Sequence, residues 1–402
     1  MGILIFLGIF AYFIIFLKKL DTKAKKNLVV ALIVVLIYSL FLNFYLENIM
    51  GWKYGIPGAD LKHYFDAAKS LHNGRSVDSL KYIWNVFDNK ISHAGYMIYV
   101  YFIYFVSFFP VIISYGFSIK LVYFIQCIIS VLSAYNVACF FEDDNKYKYN
   151  VFWAFLLNIG ILEMSSVLMR DIWIVFFISL LLIESKKEKS SIIKSFLFII
   201  GAFLIRNYTL LITIPIFVAY ILKKRKAAIV ISGVFFLIFF FGQSLIQQLA
   251  QWAIILWDYN FKFDVNNIFK FLFYPNPVNQ VENTLKGLDM HYHAIHGGNT
   301  FWQYLLLSIW NLVIYPFSIY GIYMNIKKRE NLDWVIWILI IMNIVLIYSV
   351  FYNGISEPRH KLMILYSMMY FYDYGIKNIS IYLRWGYYIF VAIFICLIFV
   401  IV

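Results

Sequence analysis

Asp60 is a carboxylate in a chain that offers few places for one. It stands in Pro57-Gly58-Ala59-Asp60-Leu61-Lys62-His63-Tyr64-Phe65-Asp66-Ala67-Ala68, inside a polar stretch from Asn48 to Ser92 that interrupts apolar runs. Tyr64, Ala67, Ala68 and Leu71 recur at helical spacing, so Asp60 falls near the start of an amphipathic helix. Two roles fit a carboxylate there. It can charge and cap a helix N-terminus, or it can take a proton from a sugar hydroxyl as a general base. Asp66 is a second candidate and points to a different face.

Three arginines form the next set. Arg170-Asp171 opens one apolar run, Arg206 separates Ile192–Ile205 from Tyr208–Leu222, and Glu357-Pro358-Arg359-His360-Lys361 precedes another. An arginine at a membrane edge is costly unless paired or turned to water. Its planar fork of donors grips a phosphate by two bonds, which suits a lipid diphosphate at headgroup level. A plainer role fits each as well: a snorkelling anchor for Arg170 and Arg206, and a lipid-headgroup contact for the 357–361 cluster. His291-Tyr292-His293-Ala294-Ile295-His296 has spacings that do not line one helix face, and the carboxylate beside it is Asp289, so no metal is expected. Gly297-Gly298 reads as a turn, without the strand-to-helix setting of a phosphate loop. No cofactor is expected. Cys127, Cys139 and Cys396 lie in apolar runs without a disulfide or metal pattern.

The elements that must position these groups are set by hydropathy. Of 402 residues, 63% are hydrophobic, and the mean hydropathy is +0.77, too apolar for a soluble core. The apolar runs are continuous rather than alternating, which excludes a β-barrel. The expected fold is all-α: a polytopic membrane protein with about 12–13 transmembrane or re-entrant helices and further helices in its outer loops. Several runs fall short of the roughly 20 residues of a perpendicular span, which points to broken or paired helices. The tyrosine-rich run 96–113, ending near Pro110, reads as re-entrant or interfacial. Residues 1–402 form a single membrane domain with two large loops, 48–92 and 247–300. The first run begins almost at Met1 without a cleavage site and reads as a retained helix.

The net charge of +13 sits in short loops and does not call for nucleic acid. Clusters at Lys18–Lys26, Lys186–Lys194, Lys223–Lys226 and Lys327–Arg329 mark the cytoplasmic side. That places 48–92, Arg170-Asp171, Arg206, 247–300, the 357–361 cluster and all seven histidines outside. The sorting used lysines and arginines alone, so the common side of the other polar groups is an independent regularity.

Taken in order, these pieces resemble polytopic glycosyltransferases of the GT-C type and the Wzy-like O-antigen and capsule polymerases related to them. The resemblance rests on the acidic first outer loop with Asp60 and Tyr64, on Met169-Arg170-Asp171-Ile172, and on Phe203-Leu204-Ile205-Arg206-Asn207-Tyr208-Thr209. Phe271-Leu272-Phe273-Tyr274-Pro275-Asn276-Pro277 and Glu357-Pro358-Arg359-His360 complete it. It implies a GT-C-like fold in the cytoplasmic membrane, active on its outer face. The implied substrate is a polyprenyl-diphosphate-linked oligosaccharide, and the implied partners are membrane lipids and other glycan-assembly membrane proteins. Asp60 would be the base, Arg206 a catalytic cation, and Arg170, Asp171, Tyr64, Arg359, His360 and Glu357 substrate-binding residues. The chain departs from GT-C in having an extra run before the first outer loop and no paired acidic motif outside. Two other functions remain open: a GT-C enzyme moving a single sugar from a polyprenyl-phosphate donor, and a transporter of lipid-linked glycans.

Overall fold

The computed structural model describes residues 2–49, 60–72, 94–110, 115–117, 119–142, 145–241, 264–273, 301–329, 331–351 and 358–401. The apolar runs fold as helices: α1 (Gly2–Lys18), α2 (Thr22–Phe44), α3 (Asp60–His72), α4 (Ala94–Ser107), α5 (Lys120–Phe141), α6 (Asn145–Leu156), α7 (Ile159–Ser166) and α8 (Asp171–Ser185). They continue as α9 (Ile192–Ile205), α10 (Leu210–Ile216), α11 (Arg225–Phe241), α12 (Val265–Phe273), α13 (Phe301–Lys328), α14 (Asp333–Phe351), α15 (Pro358–Lys377) and α16 (Ile381–Ile401). Among the described residues, the exception to an all-helical pattern is a small hairpin in which Phe108–Pro110 pairs antiparallel with Tyr115–Phe117.

Among the described residues, four helices are long and apolar enough to cross a membrane, or five if the bent pair α7–α8 counts as one span. The protein is a helical, polytopic membrane protein. Among the described residues, five further apolar stretches are shorter, in α1, α4, α9, Asn207–Ile221 and α14; the 12–13 segments expected from hydropathy counted re-entrant helices together with full spans. Their ends are set locally. Asp21 accepts from the Ala24 amide at 2.8 Å to start α2, and Ser191 accepts from Lys194 to start α9. The apolar run 151–168 is split between α6 and α7, because Asn158 caps α7 by accepting from the Gly160 amide at 2.9 Å.

The bundle has an inner set and an outer set. Most of α5 is buried, as is Leu362–Phe371 of α15. In contrast, Ile193 and Leu197 of α9, Val230 of α11, and Ile389 and Phe390 of α16 turn apolar side chains outward, as expected where the surrounding solvent is hydrocarbon. Helices α13 and α15 cross at two glycines. A Cβ on Gly321 would overlap the Phe371 carbonyl, and one on Gly375 would overlap the Phe317 carbonyl, so the backbones themselves touch.

The two ends of the bundle differ in chemistry. At one end Arg225 meets Asp333 at 2.8 Å, and Lys377 bridges Asp373, at 2.7 Å, and Glu142. Lys328 also donates to Asn378 there. This is the end of the lysine clusters. Helices α8 and α9 run from it to Asp171 and Arg206, α14 to Tyr348 and α15 to Arg359. These residues form the opposite end.

Candidate functional site

The site is organised by a helix break. Helices α7 and α8 meet at 119° across Val167–Arg170. The hydroxyls of Ser165 and Ser166 each donate back to the Leu162 carbonyl at 2.7 Å, a pattern that bends helices. A break inside a membrane leaves carbonyls that need donors. Asn43 of α2 donates to the Ser166 carbonyl at 3.0 Å, and Gln126 of α5 donates to those of Met169, at 3.0 Å, and Met164, at 3.3 Å. The Cys127 thiol reaches the Ser165 carbonyl at 3.7 Å. Three side chains from two neighbouring helices thus hold the break open. The sequence reading missed Asn43 and Gln126; the available signal was an amide placed inside each apolar run.

The break delivers Arg170 and Asp171 to the first turn of α8, where the helix dipole favours the carboxylate. Helix α9 runs antiparallel beside it and ends at Arg206, whose extended backbone turns the side chain across to Asp171. The guanidinium grips the carboxylate by two bonds, Nε to Oδ1 at 3.2 Å and Nη2 to Oδ2 at 3.5 Å. Asp171 is almost fully buried and Arg206 partly so. Arg170 and Arg359 also act on this carboxylate through space. Among the described residues, three guanidinium groups therefore surround one carboxylate, leaving that set net positive.

Around the cluster, Arg206, Arg359 and Asp171 all influence Tyr208 and His360. Tyr348 donates to the Tyr208 hydroxyl at 2.7 Å, and its ring centroid lies 4.9 Å from that of His360. Helix α12, from the long loop 247–300, caps this group. Phe271 stacks on Tyr348 at 4.9 Å with planes 5° apart, and the buried Lys361 ammonium donates to the Leu272 carbonyl at 3.2 Å. Phe271 is fully buried against α14 while Val265, Phe269 and Phe273 stay exposed.

Helix α3 joins from the other side. Tyr64, Phe65, Ala67, Ala68 and Leu71 are buried, whereas Asp66 is exposed, as the spacing predicts. Tyr64 packs edge-on against Tyr99 of α4 at 5.0 Å, and the Tyr99 hydroxyl accepts from Gln126 at 3.1 Å. A continuous path therefore links α3 to the break. Phe102, one turn further along α4, meets Trp173 of α8 at 4.9 Å. Helix α4 thus packs against α8 at the arginine end, the end at which α5 begins.

Arg170, Asp171, Arg206, Arg359 and His360 are brought together, and Tyr64 is tied to them through Tyr99 and Gln126. Asp60 is the first residue of α3. Its side chain, the whole of Glu357 and the 291–296 histidines lie outside the described residues. Among the described residues, no group of histidine, cysteine and acidic side chains is arranged to hold a metal.

No family model, curated protein or solved structure matches the chain. The functional reading therefore rests on the site's own chemistry.

Proposed function

We propose that the protein is a glycosyltransferase of the cytoplasmic membrane that polymerises polyprenyl-diphosphate-linked oligosaccharide repeat units on the membrane's outer face. The observation that carries this reading is the net positive cluster of Arg170, Arg206 and Arg359 around Asp171. It sits at the bundle end opposite the lysine clusters, where the positive-inside rule does not call for cations. A diphosphate is a fitting counter-ion, because guanidinium groups bind its oxygens by paired, charge-assisted bonds.

In the proposed reaction a hydroxyl of the acceptor unit attacks the anomeric carbon of the chain carried on polyprenyl diphosphate. A glycosidic C–O bond forms, the C–O bond to the diphosphate breaks, and the departing diphosphate takes the electron pair. The arginines stabilise the charge that grows on that leaving group. The hydroxyl proton passes to Asp60, whose helix is joined to the cluster through Tyr64 and Tyr99. Asp171 keeps Arg206 oriented. Asp60→Asn and Arg206→Ala are each expected to abolish long-chain glycan at unchanged protein level. Normal chain lengths in both variants would remove this mechanism.

The tie between α3 and the break also favours a second reading, a GT-C enzyme that transfers one sugar from a polyprenyl-phosphate donor. The deletion strain separates the two. Loss of a polymerase leaves single repeat units, whereas loss of a decorating enzyme leaves full-length glycan lacking one substituent.

A further inference from the structure

Helix α12 presents three kinds of surface. Asp264 starts it by accepting from the Asn266 amide at 2.8 Å, and each residue that follows turns the helix by about 100°. That spacing sets Val265, Phe269 and Phe273 on one stripe, Asn266 and Lys270 on the next, and Ile268 and Phe271 on a third. The third stripe meets the bundle. Phe271 is fully buried on Tyr348, Asn267 beside it donates to the Ser349 carbonyl at 3.3 Å, and the Leu272 carbonyl accepts from Lys361. The Asn266–Lys270 stripe is polar and exposed. The first stripe is apolar, yet Val265 is 53%, Phe269 58% and Phe273 52% exposed. A helix lying between protein and water needs one apolar face. Helix α12 has two.

Depth identifies what meets the second one. At the lysine end, Asp333 pairs with Arg225 and Lys328 donates to Asn378, and such charged groups belong at or beyond the edge of the hydrocarbon. Ser349 is sixteen residues from Asp333 along α14, about 24 Å. Tyr315, which Phe273 meets edge-on at 6.4 Å, is thirteen residues from Lys328 along α13, about 20 Å. Any tilt shortens both depths. The hydrocarbon is about 30 Å thick, so α12 docks roughly 6–10 Å inside its boundary at the arginine end. That is the depth, about 5–10 Å, to which helices lying in the membrane plane sink their apolar faces. The Asn266–Lys270 stripe is then the edge that meets headgroups and water. The cluster lies at a similar level, since Asp171 is fourteen residues of α8 from Ser185, about 21 Å.

We propose that α12 is an in-plane membrane helix whose Val265–Phe269–Phe273 stripe lies among the acyl chains of the leaflet at the arginine end. The partner of this surface is the lipid bilayer itself, which thereby holds the cap on Tyr348 and, through Lys361, beside His360. The proposal depends neither on the reaction nor on the orientation given above, because the depth is counted from the lysine end of the bundle.

The test uses the full-length protein, with Cys127, Cys139 and Cys396 replaced, in vesicles of phosphatidylethanolamine and phosphatidylglycerol. Bimane is attached in turn to Phe269→Cys, Val265→Cys and Asn266→Cys. Lipids brominated on their acyl chains are expected to quench the labels at 269 and 265 about threefold more than the label at 266. Iodide supplied on both sides of the membrane is expected to give the reverse order. Phe269→Glu places a carboxylate among acyl chains and is expected to speed hydrogen exchange across α12 by about tenfold, with Phe269→Leu close to wild type. Gel filtration before reconstitution removes misfolded protein, and Val265→Cys keeps the test decisive if a label at 269 disturbs the fold. Iodide quenching at 269 and 265 equal to that at 266 overturns the proposal, since the stripe then faces water. Protection of both positions from both quenchers overturns it as well, because protein, a second copy included, then covers the stripe. Exchange in Phe269→Glu no faster than in Phe269→Leu removes the bilayer's hold on the cap.

Discussion

At the scale of residues, the Asp171–Arg206 pair is both structural and placed for function. Arg170 and Arg359 crowd the same carboxylate, so Asp171→Ala removes the negative charge that three cations share, at an expected cost of about 3–5 kcal/mol. Arg206→Ala is expected to cost less, because the other two arginines still act on Asp171. A double-mutant cycle on unfolding in detergent should give a coupling above about 1 kcal/mol; additive single effects would deny the pair any structural role. Each charged member of the cluster was legible as an ionisable group at the edge of an apolar run. Their pairing was not, because it depends on the register of α8 against α9, fixed by contacts such as that of Phe177 beside Gly201. Gln126 and Asn43 were hidden for a related reason: an amide in an apolar helix acquires meaning only once a neighbouring helix is known to break beside it.

At the scale of elements, the break between α7 and α8 determines where the cations go. Gln126 joins the break to α4 and so to α3. Gln126→Leu removes three hydrogen bonds and strands buried carbonyls, at about 1–3 kcal/mol for each group left without a donor. We expect lower thermal stability, together with faster hydrogen exchange in α3 and α4, which Gln126 does not belong to. Exchange confined to α5 would show that it anchors nothing beyond its own helix. The sequence showed α3 well, since Tyr64, Ala68 and Leu71 form its buried stripe. It did not show the split of 151–168, because Asn158 is the sole strongly polar side chain at the joint and a cap resembles any other buried asparagine. The docking of α12 was likewise illegible, since its buried face is decided by Phe271 meeting Tyr348 across a long stretch of chain.

At the scale of the whole molecule, one end holds lysines tied to acidic residues and the other holds the arginine cluster. Hydropathy and positive charge alone anticipated a helical membrane protein with this segregation, because both follow from the cost of placing polar groups in hydrocarbon. They did not separate full spans from shorter helices, since an apolar run reads alike in a crossing helix and in a shorter one packed within the bundle. The orientation is testable with single cysteines in a background lacking the native three. Asp66→Cys, on the exposed face of α3, is expected to react with a membrane-impermeant maleimide on intact cells. Lys189→Cys should react only after the membrane is opened. The opposite pattern would invert the topology and remove the outer-face site.

The crossing of α13 and α15 bears on the cluster from a distance. Gly375 and Arg359 lie on the same helix, sixteen residues and thus about 24 Å apart. Where two backbones touch without intervening side chains, neither helix can rotate about its axis, so the glycine contact acts as a bearing that sets the azimuth of Arg359 and His360. A side chain introduced at Gly375 would turn that shaft and mis-aim both groups. The aim of the arginine cluster is thereby partly set at the opposite end of the bundle.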